Sequence, residues 1–344
     1  MTCPEPSAIF THMTNDLFPS VVGQTEAKKK LGFYIDSYHS TQIMPNLMFC
    51  AQKGYGKSLI AREVAKQLVH YGEDKKPLLK EDGVTFKKKT FLEVNGSTLK
   101  TARQFVNGVL VPHVVDKDAT IFIDEAHAMK AEVVTSLLTI LNPNPEFKNT
   151  YVYDDYACDI DFRRQTFIFA TSESHSIFGP LMDRLKRIDL QSYTQDNLAE
   201  IIMRSAPEVQ FSNEVLANMA TVVRGNARQA VNMANEVRTL LHGKALPFGM
   251  TEWQKLSSIL SIKPLGLSPI EIDLLNFMRE RPDGSSLTNL AARSGLSREA
   301  VQRDYESYLQ NLGLMEITAG KGRQLTAKGL EYLKDLEKFN AELV

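Results

Sequence analysis

The sequence predicts an α/β chain: a buried parallel sheet with helices on both faces, then purely helical segments and a short C-terminal hairpin. Three observations carry this expectation. Up to Tyr193, short apolar runs alternate with helical patterns. Those runs are apolar throughout and not alternately polar, as in strands covered on both faces. Beyond Tyr193 the strand signals stop until the last few dozen residues.

Taken in order, Lys28 to Ile35 (KKKLGFYI) has helical spacing and leads into a polar stretch before Pro45. Asn46 to Cys50 (NLMFC) is a strand-length run that stops at a glycine-containing turn, and Leu59 to Val69 (LIAREVAKQLV) resumes the helical period. Phe91 to Val94, Thr120 to Ile123 and Thr166 to Ala170 supply three further strands, with helical patterns such as TARQFVNGVL and AEVVTSLLTIL between them. Residues 194–262 read as helices, with turns at Pro207, Gly225 and around GKALPFG. From Gly266 onward, SPIEIDLLNFMRE, SLTNLAARSG and SREAVQRDYESYLQNLG form three helices. They lead into MEITAGKGRQLTAKG, two strand-like stretches around a glycine-rich turn. Three helices and a basic hairpin make a winged helix. The expected domains are an α/β domain over 1–192, a small helical domain over 193–262 and a winged helix over 263–344.

The bulk properties agree, since 344 residues are enough for two or three domains. Hydrophobic residues at 43% and charged residues at 24% exclude a mostly disordered or fibrous chain. Lys and Arg number 40 against 41 Asp and Glu, a net charge of −1, which leaves room for nucleic-acid binding by one local basic patch. The three cysteines, Cys3, Cys50 and Cys158, are odd in number and lack zinc-ligand spacing, which points to a reducing compartment. The N-terminal stretch lacks a basic region followed by an apolar one, and no apolar run approaches the roughly 18 residues of a membrane span. The expectation is a cytoplasmic protein with no membrane association.

The chemistry begins after the NLMFC strand. Residues 51–58, AQKGYGKS, match the phosphate-loop pattern G-x-x-x-x-G-K-[ST] except that Ala51 holds the first glycine position. Gly54, Tyr55 and Gly56 can turn successive backbone N–H groups inward as a phosphate nest, Lys57 supplies a cation for the β and γ phosphates, and Ser58 can ligate Mg²⁺. The strand TIFIDE ends in two carboxylates, as expected of an acidic (Walker B) strand lying beside the phosphate-loop strand. Asp124 is the residue to hold Mg²⁺ through water, and Glu125 the one to orient or deprotonate the attacking water. A third strand, TFIFA, ends in Thr171 and Ser172, where a hydroxyl can reach the γ-phosphate or the lytic water. His127, in the run DEAH, reads as a structural or partner contact, because no other histidine lies at ligand spacing.

In the order GQTEAKKKL, GYGKS, FIDEAH, FATSE, PLMDRLKR and RGNARQA, these segments resemble the AAA+ ATPases, and within them the RuvB family of Holliday-junction branch-migration motors. The resemblance runs from about Phe18 to Leu333. It implies that Val21, Val22 and Gly23 pack on adenine, that Thr171 is the sensor 1 residue, that Arg228 is the sensor 2 arginine, and that Arg184 is an arginine finger reaching a neighbouring subunit's ATP. Such a finger requires assembly, by similarity a hexameric ring. The family's β-hairpin for its RuvA adaptor corresponds to FKNTYVYDDYACDIDF, with Tyr151 and Tyr153 as candidate partner contacts and a turn at Asp154 and Asp155. This hairpin is shorter and more aromatic than the family's, so a RuvA-like adaptor, a different one or none are all open. Ala51, Gln52, Lys53, Met182 and the lysine-rich stretch 73–89 are further departures. They are those of a divergent homologue, a phage-encoded one among the options.

In the winged helix, Arg298, Arg303, Lys321, Arg323 and Lys328 are candidate phosphate contacts. Glu299, Asp304 and Glu306 oppose them on the third helix, which favours the wing. Lys321-Gly322-Arg323 resembles the family's Arg-Gly-Arg turn, where glycine lets the backbone approach a phosphate. The function expected is a DNA motor that uses ATP and Mg²⁺ to translocate duplex arms of a four-way junction. The alternative is an initiator-like or clamp-loader-like switch that loads a protein on DNA without translocation.

Overall fold

The computed structural model describes residues 17–72, 74–154 and 156–342. The segment up to residue 16, Cys3 with it, and Asp155 lie outside the described residues. Among the described residues two compact units form: one holds those from 17 to 193 together with Asn226–Arg228, the other holds Thr194–Gly225 and those from 229 to 342. No described helix is long and apolar enough to cross a membrane.

In the first unit the strands are β1 (Leu47–Cys50), β2 (Thr90–Asn95), β3 (Ala119–Asp124), β4 (Lys148–Tyr153), β5 (Tyr156–Asp161), β6 (Gln165–Thr171) and β7 (Lys186–Asp189). Five of them make a sheet in the order β2-β3-β6-β1-β7, every neighbouring pair parallel. The acidic strand β3 therefore does not lie beside β1, as the sequence suggests; β6 is inserted between them, pairing Cys50 with Thr171 and Ile123 with Phe169. The carboxyl ends of β1, β6 and β3 thus share one edge, the position where parallel α/β sheets bind ligands.

Both faces of this sheet are covered, which is why its central strands carry no polar alternation. Ile121, Ile123, Phe167 and Phe169 pack on one side with Phe105, Val109 and Leu137. Their neighbours Phe122 and Ile168 pack on the other side with Leu31, Ile35, Ile60 and Val64. Strand β7 escapes sequence detection because only Ile188 of its four residues is buried. The lysine-rich stretch forms antiparallel bridges, Val69 with Lys88 and Leu79 with Phe86, and ends at Lys89, which is buried and donates to the Arg163 carbonyl at 2.8 Å.

In the second unit, Thr194 caps Gln195–Ser205 through Asn197, and Ser212 caps Asn213–Val222. Two-residue strands, Gln210–Phe211 and Pro247–Phe248, pair parallel between the helices. The winged helix follows: Pro269–Arg279, Leu287–Ser294 and a helix over 298–311, then the hairpin Met315–Thr318 with Gly322–Leu325. Ser285 and Arg323 exchange backbone hydrogen bonds and add a third short strand to the wing. A C-terminal helix, Ala327–Glu342, closes the core with Tyr332, Leu333 and Leu336 against Leu274, Leu275, Met278 and Leu309. Helical segment and winged helix form one unit because Arg224 reaches fully buried Glu271 at 2.5 Å and stacks its guanidinium 4.5 Å over Tyr308.

Candidate functional site

The site grows from the end of β1. Ala51 keeps a negative φ and packs on the core, so the missing first glycine causes no backbone strain. Gly54 and Gly56 hold φ of 84° and 87°, a region open to glycine at little cost. Lys57 opens the helix Lys57–Gln67, whose N-terminus lacks a side-chain cap, leaving first-turn amides for an anionic group. Lys57 itself is 7% exposed, and its ammonium donates to the carbonyls of Ala51 at 2.8 Å and Gln52 at 3.0 Å. Burial pulls its pKa below the ordinary lysine range, while Asp124 and Glu125 act in the opposite direction.

Ser58 and Asp124 converge from the helix and from β3, with Oγ and Oδ2 3.5 Å apart. Two hard oxygen donors aimed at one point suit Mg²⁺. Glu125 follows with φ of 51°, a strained value for a side-chain-bearing residue, and its N–H donates to Asp124 Oδ1 at 2.9 Å. Gly96, at the end of β2, makes room for this kink: a Cβ there would lie 2.8 Å from the Glu125 carbonyl oxygen. Thr171 is 1% exposed; its Oγ1 accepts the Glu173 N–H at 3.0 Å and lies 3.0 Å from His127 Nδ1. His127 Nε2 is 3.2 Å from Glu125 Oε2. The histidine read from the sequence as a structural or partner contact makes its contacts to two site residues.

Further contributors reach the site from far away in sequence. Asn226 donates to the Lys53 carbonyl at 3.3 Å and accepts the Arg228 N–H at 2.9 Å, while Ala227 N–H donates to the Gly54 carbonyl at 3.1 Å. A Cβ on Gly54 would stand 2.0 Å from Asn226 Oδ1. Tyr193 donates to the Tyr55 carbonyl at 3.1 Å. Gln24 pairs its side-chain amide with both backbone groups of Gln191, at 2.8 and 2.9 Å, and so fixes the segment of Val21, Val22 and Gly23. Val21 is buried in the core beside Leu31 and Ile60, and Val22 is 6% exposed.

Arg184 is half-buried and folded onto its own chain, donating to the Pro180 carbonyl at 2.7 Å and to Asn142 Oδ1 at 3.0 Å. Arg228 is exposed and close enough to Lys57 to disfavour its charge.

Two sets of sequence expectations need correction. In the β4–β5 hairpin Tyr151 and Tyr153 are on the core side: Tyr151 is buried with its hydroxyl 2.7 Å from Ser136 Oγ, and Tyr153 packs partly on the same cluster. The large apolar side chains that the hairpin presents outward are Val152, 67% exposed, and Tyr156, 47% exposed. In the wing, Arg323 makes a two-pronged pair with Glu306, which is buried, so its guanidinium is committed within the domain. Gly322 is required by Ser285, whose carbonyl oxygen would be 2.6 Å from a Cβ. Lys321, Arg298, Arg303 and Lys328 are exposed, Arg303 pairing with Asp304 and Lys328 with the Leu312 carbonyl.

Comparison with known proteins agrees with this geometry. Residues 47–195 match the ATPase family associated with various cellular activities (AAA), and residues 264–334 match the RuvB C-terminal winged helix domain. The Holliday junction branch migration complex subunit RuvB of Treponema denticola is 25% identical over 90% of this chain and 86% of its own. That of Pseudothermotoga lettingae is 25% identical over 98% and 94%. A solved Thermotoga maritima RuvB, titled a Holliday junction branch migration motor, superposes with a TM-score of 0.68 at 22% identity, covering 93% of this chain and 99% of that one. The chain thus carries an AAA match ahead of a RuvB winged helix match, has a RuvB-like fold, and is similar to RuvB relatives over nine-tenths of its length.

Proposed function

We propose that this ATP hydrolase is a DNA motor that drives Holliday-junction branch migration. The observation that carries the reading is the convergence of Lys57, Asp124, Glu125 and Thr171 on one sheet edge, in a chain that ends in a RuvB winged helix domain. In this reading the loop amides and Lys57 bind the phosphates, and Arg228 reports the γ-phosphate. Ser58 and Asp124 hold Mg²⁺, which supplies charge neutralisation on the phosphates. Glu125 orients the attacking water and accepts its proton. Arg184 leaves Asn142 to reach the ATP of a neighbouring subunit in a hexameric ring, a contribution worth around 10³ to 10⁵ in rate for such arginines. Lys321 and Arg298 hold phosphates without sequence preference, as a motor that crosses any sequence requires. The outward Val152 and Tyr156 are the hairpin's surface for a RuvA-like adaptor. The relatives favour this motor over the initiator-like or loader alternative.

The test is ATP-driven migration of a synthetic four-way junction. Wild type moves the junction, Glu125→Gln does not, and Arg184→Ala subunits mixed with wild type lower turnover in the assembled state. Junction retention without migration, with or without an adaptor, would instead establish the loading switch.

A further inference from the structure

We propose that His127 is a positioning residue that couples the water-activating carboxylate of Glu125 to the phosphate-sensing hydroxyl of Thr171. The inference rests on the ATPase reading of this site and deepens it.

For a neutral imidazole the two contacts fix the direction of a hydrogen-bond chain. A carboxylate only accepts, so the contact of 3.2 Å to Glu125 Oε2 takes a proton carried on His127 Nε2. Thr171 Oγ1 already accepts the Glu173 N–H, which frees its own O–H to donate to His127 Nδ1 at 3.0 Å. One tautomer, with its proton on Nε2, satisfies both contacts. The chain then runs from Thr171 O–H to the imidazole and from the imidazole to Glu125. The other groups facing this pair are weaker partners: Glu173 Oε1 is 3.9 Å from His127 Nε2, Lys53 Nζ is 4.0 Å from Glu125 Oε1, and Ser172 Oγ is 3.5 Å from Glu125 Oε2.

The fold holds the imidazole there. The left-handed kink at Glu125 starts a short turn, Ala126–Ala128, anchored by buried Ala126, and the turn carries His127 across to the end of β6. A phosphate oxygen or water that draws the Thr171 hydroxyl to itself removes the donor from Nδ1. The imidazole is then free to turn, and Glu125 loses the N–H that held it. Occupancy at Thr171 is thereby read out as a change in the aim of Glu125.

The test uses the full chain, steady-state ATP hydrolysis, binding of a fluorescent ATP analogue, and thermal unfolding. His127→Ala lowers kcat by about tenfold to a hundredfold, the scale of misplacing one reacting group, with analogue affinity and melting temperature nearly unchanged. His127→Gln keeps an N–H for Glu125 but not the link to Thr171, and it loses turnover as well. The His127→Ala, Thr171→Ala double variant is no slower than the slower single, as for residues that act as a unit. Turnover in His127→Ala within about twofold of wild type, losses that multiply in the double variant, or affinity and melting temperature that fall in step with kcat would each overturn the proposal. A wild type without ATP hydrolysis would overturn the site reading beneath it. Those outcomes concern His127 alone only where wild type hydrolyses ATP and Glu125→Gln does not.

Discussion

Replacing Gly54 by alanine tests the phosphate loop most directly. At φ of 84° an alanine pays roughly 1–2 kcal/mol for the left-handed backbone. Its methyl would also lie 2.0 Å from Asn226 Oδ1, so the asparagine must swing away. That motion breaks its bonds to the Lys53 carbonyl and the Arg228 N–H, each worth about 1 kcal/mol. The expected total is about 3–4 kcal/mol. If the loss falls on the nucleotide-competent loop, kcat/KM drops by about 10² to 10³. Asn226→Ala alone costs the two bonds, about 2 kcal/mol. The double variant loses those bonds once and has no clash, so it is no worse than Gly54→Ala and about 2 kcal/mol better than the sum of the singles. ATPase kinetics and analogue binding on the four proteins measure this cycle. Gly108→Ala is the control, because nothing lies within 4 Å of a Cβ there and φ is not positive. Additive singles, or a Gly54→Ala enzyme with wild-type kinetics, would refute the argument.

Further expectations concern buried polar groups and the wing. Burial lowers the Lys89 pKa from 10.5 to about 8. Between those values the unfolded chain holds a proton that the folded one has lost, so stability rises with pH, by up to about 3 kcal/mol; pH-dependent urea melts of Lys89→Met should lack this rise. Thr120 and Thr166 face each other in the β3–β6 register with buried hydroxyls that make no hydrogen bond. Valine at either position should leave stability equal or raise it by about 1 kcal/mol in a denaturant melt. Arg224→Ala strips Glu271 of its cation and should cost about 3–5 kcal/mol in unfolding of the second unit, with Glu271→Gln restoring part of the loss. Arg323→Ala should destabilise the winged helix by leaving the buried carboxylate of Glu306 without its cation. Lys321→Ala should leave the melt unchanged but reduce the salt slope of DNA binding by close to one unit.

What the sequence conveyed, and what it could not, divides along range of interaction. β1, β3 and β6 were legible because strands covered on both faces must be apolar at successive positions, and the GKS and DE motifs because each chemistry needs adjacent residues in one turn. β7 was not, since an edge strand with one inward isoleucine resembles a charged loop. Sheet order lay beyond local pattern too: nothing within TFIFA says that it inserts between β1 and β3. That insertion decides the site, because it sets Thr171 between the phosphate loop and the acidic pair.

The same division explains which side chains were misassigned. Lys321 and Arg323 are indistinguishable by composition, and only Glu306, far enough away to be on another element, commits one and leaves the other exposed. Tyr151 and Val152 alternate as any hairpin residues do, and the face that turns inward is decided by Ser136 and the apolar cluster beneath. Asn226 and Tyr193 act on the phosphate loop across separations of 173 and 138 residues. His127 is the intermediate case, since DEAH placed it two residues after Glu125, yet its meaning came from Thr171 on a strand 44 residues away. A motif names the groups that can react, and contacts distant in sequence decide which of them are held in place to do so.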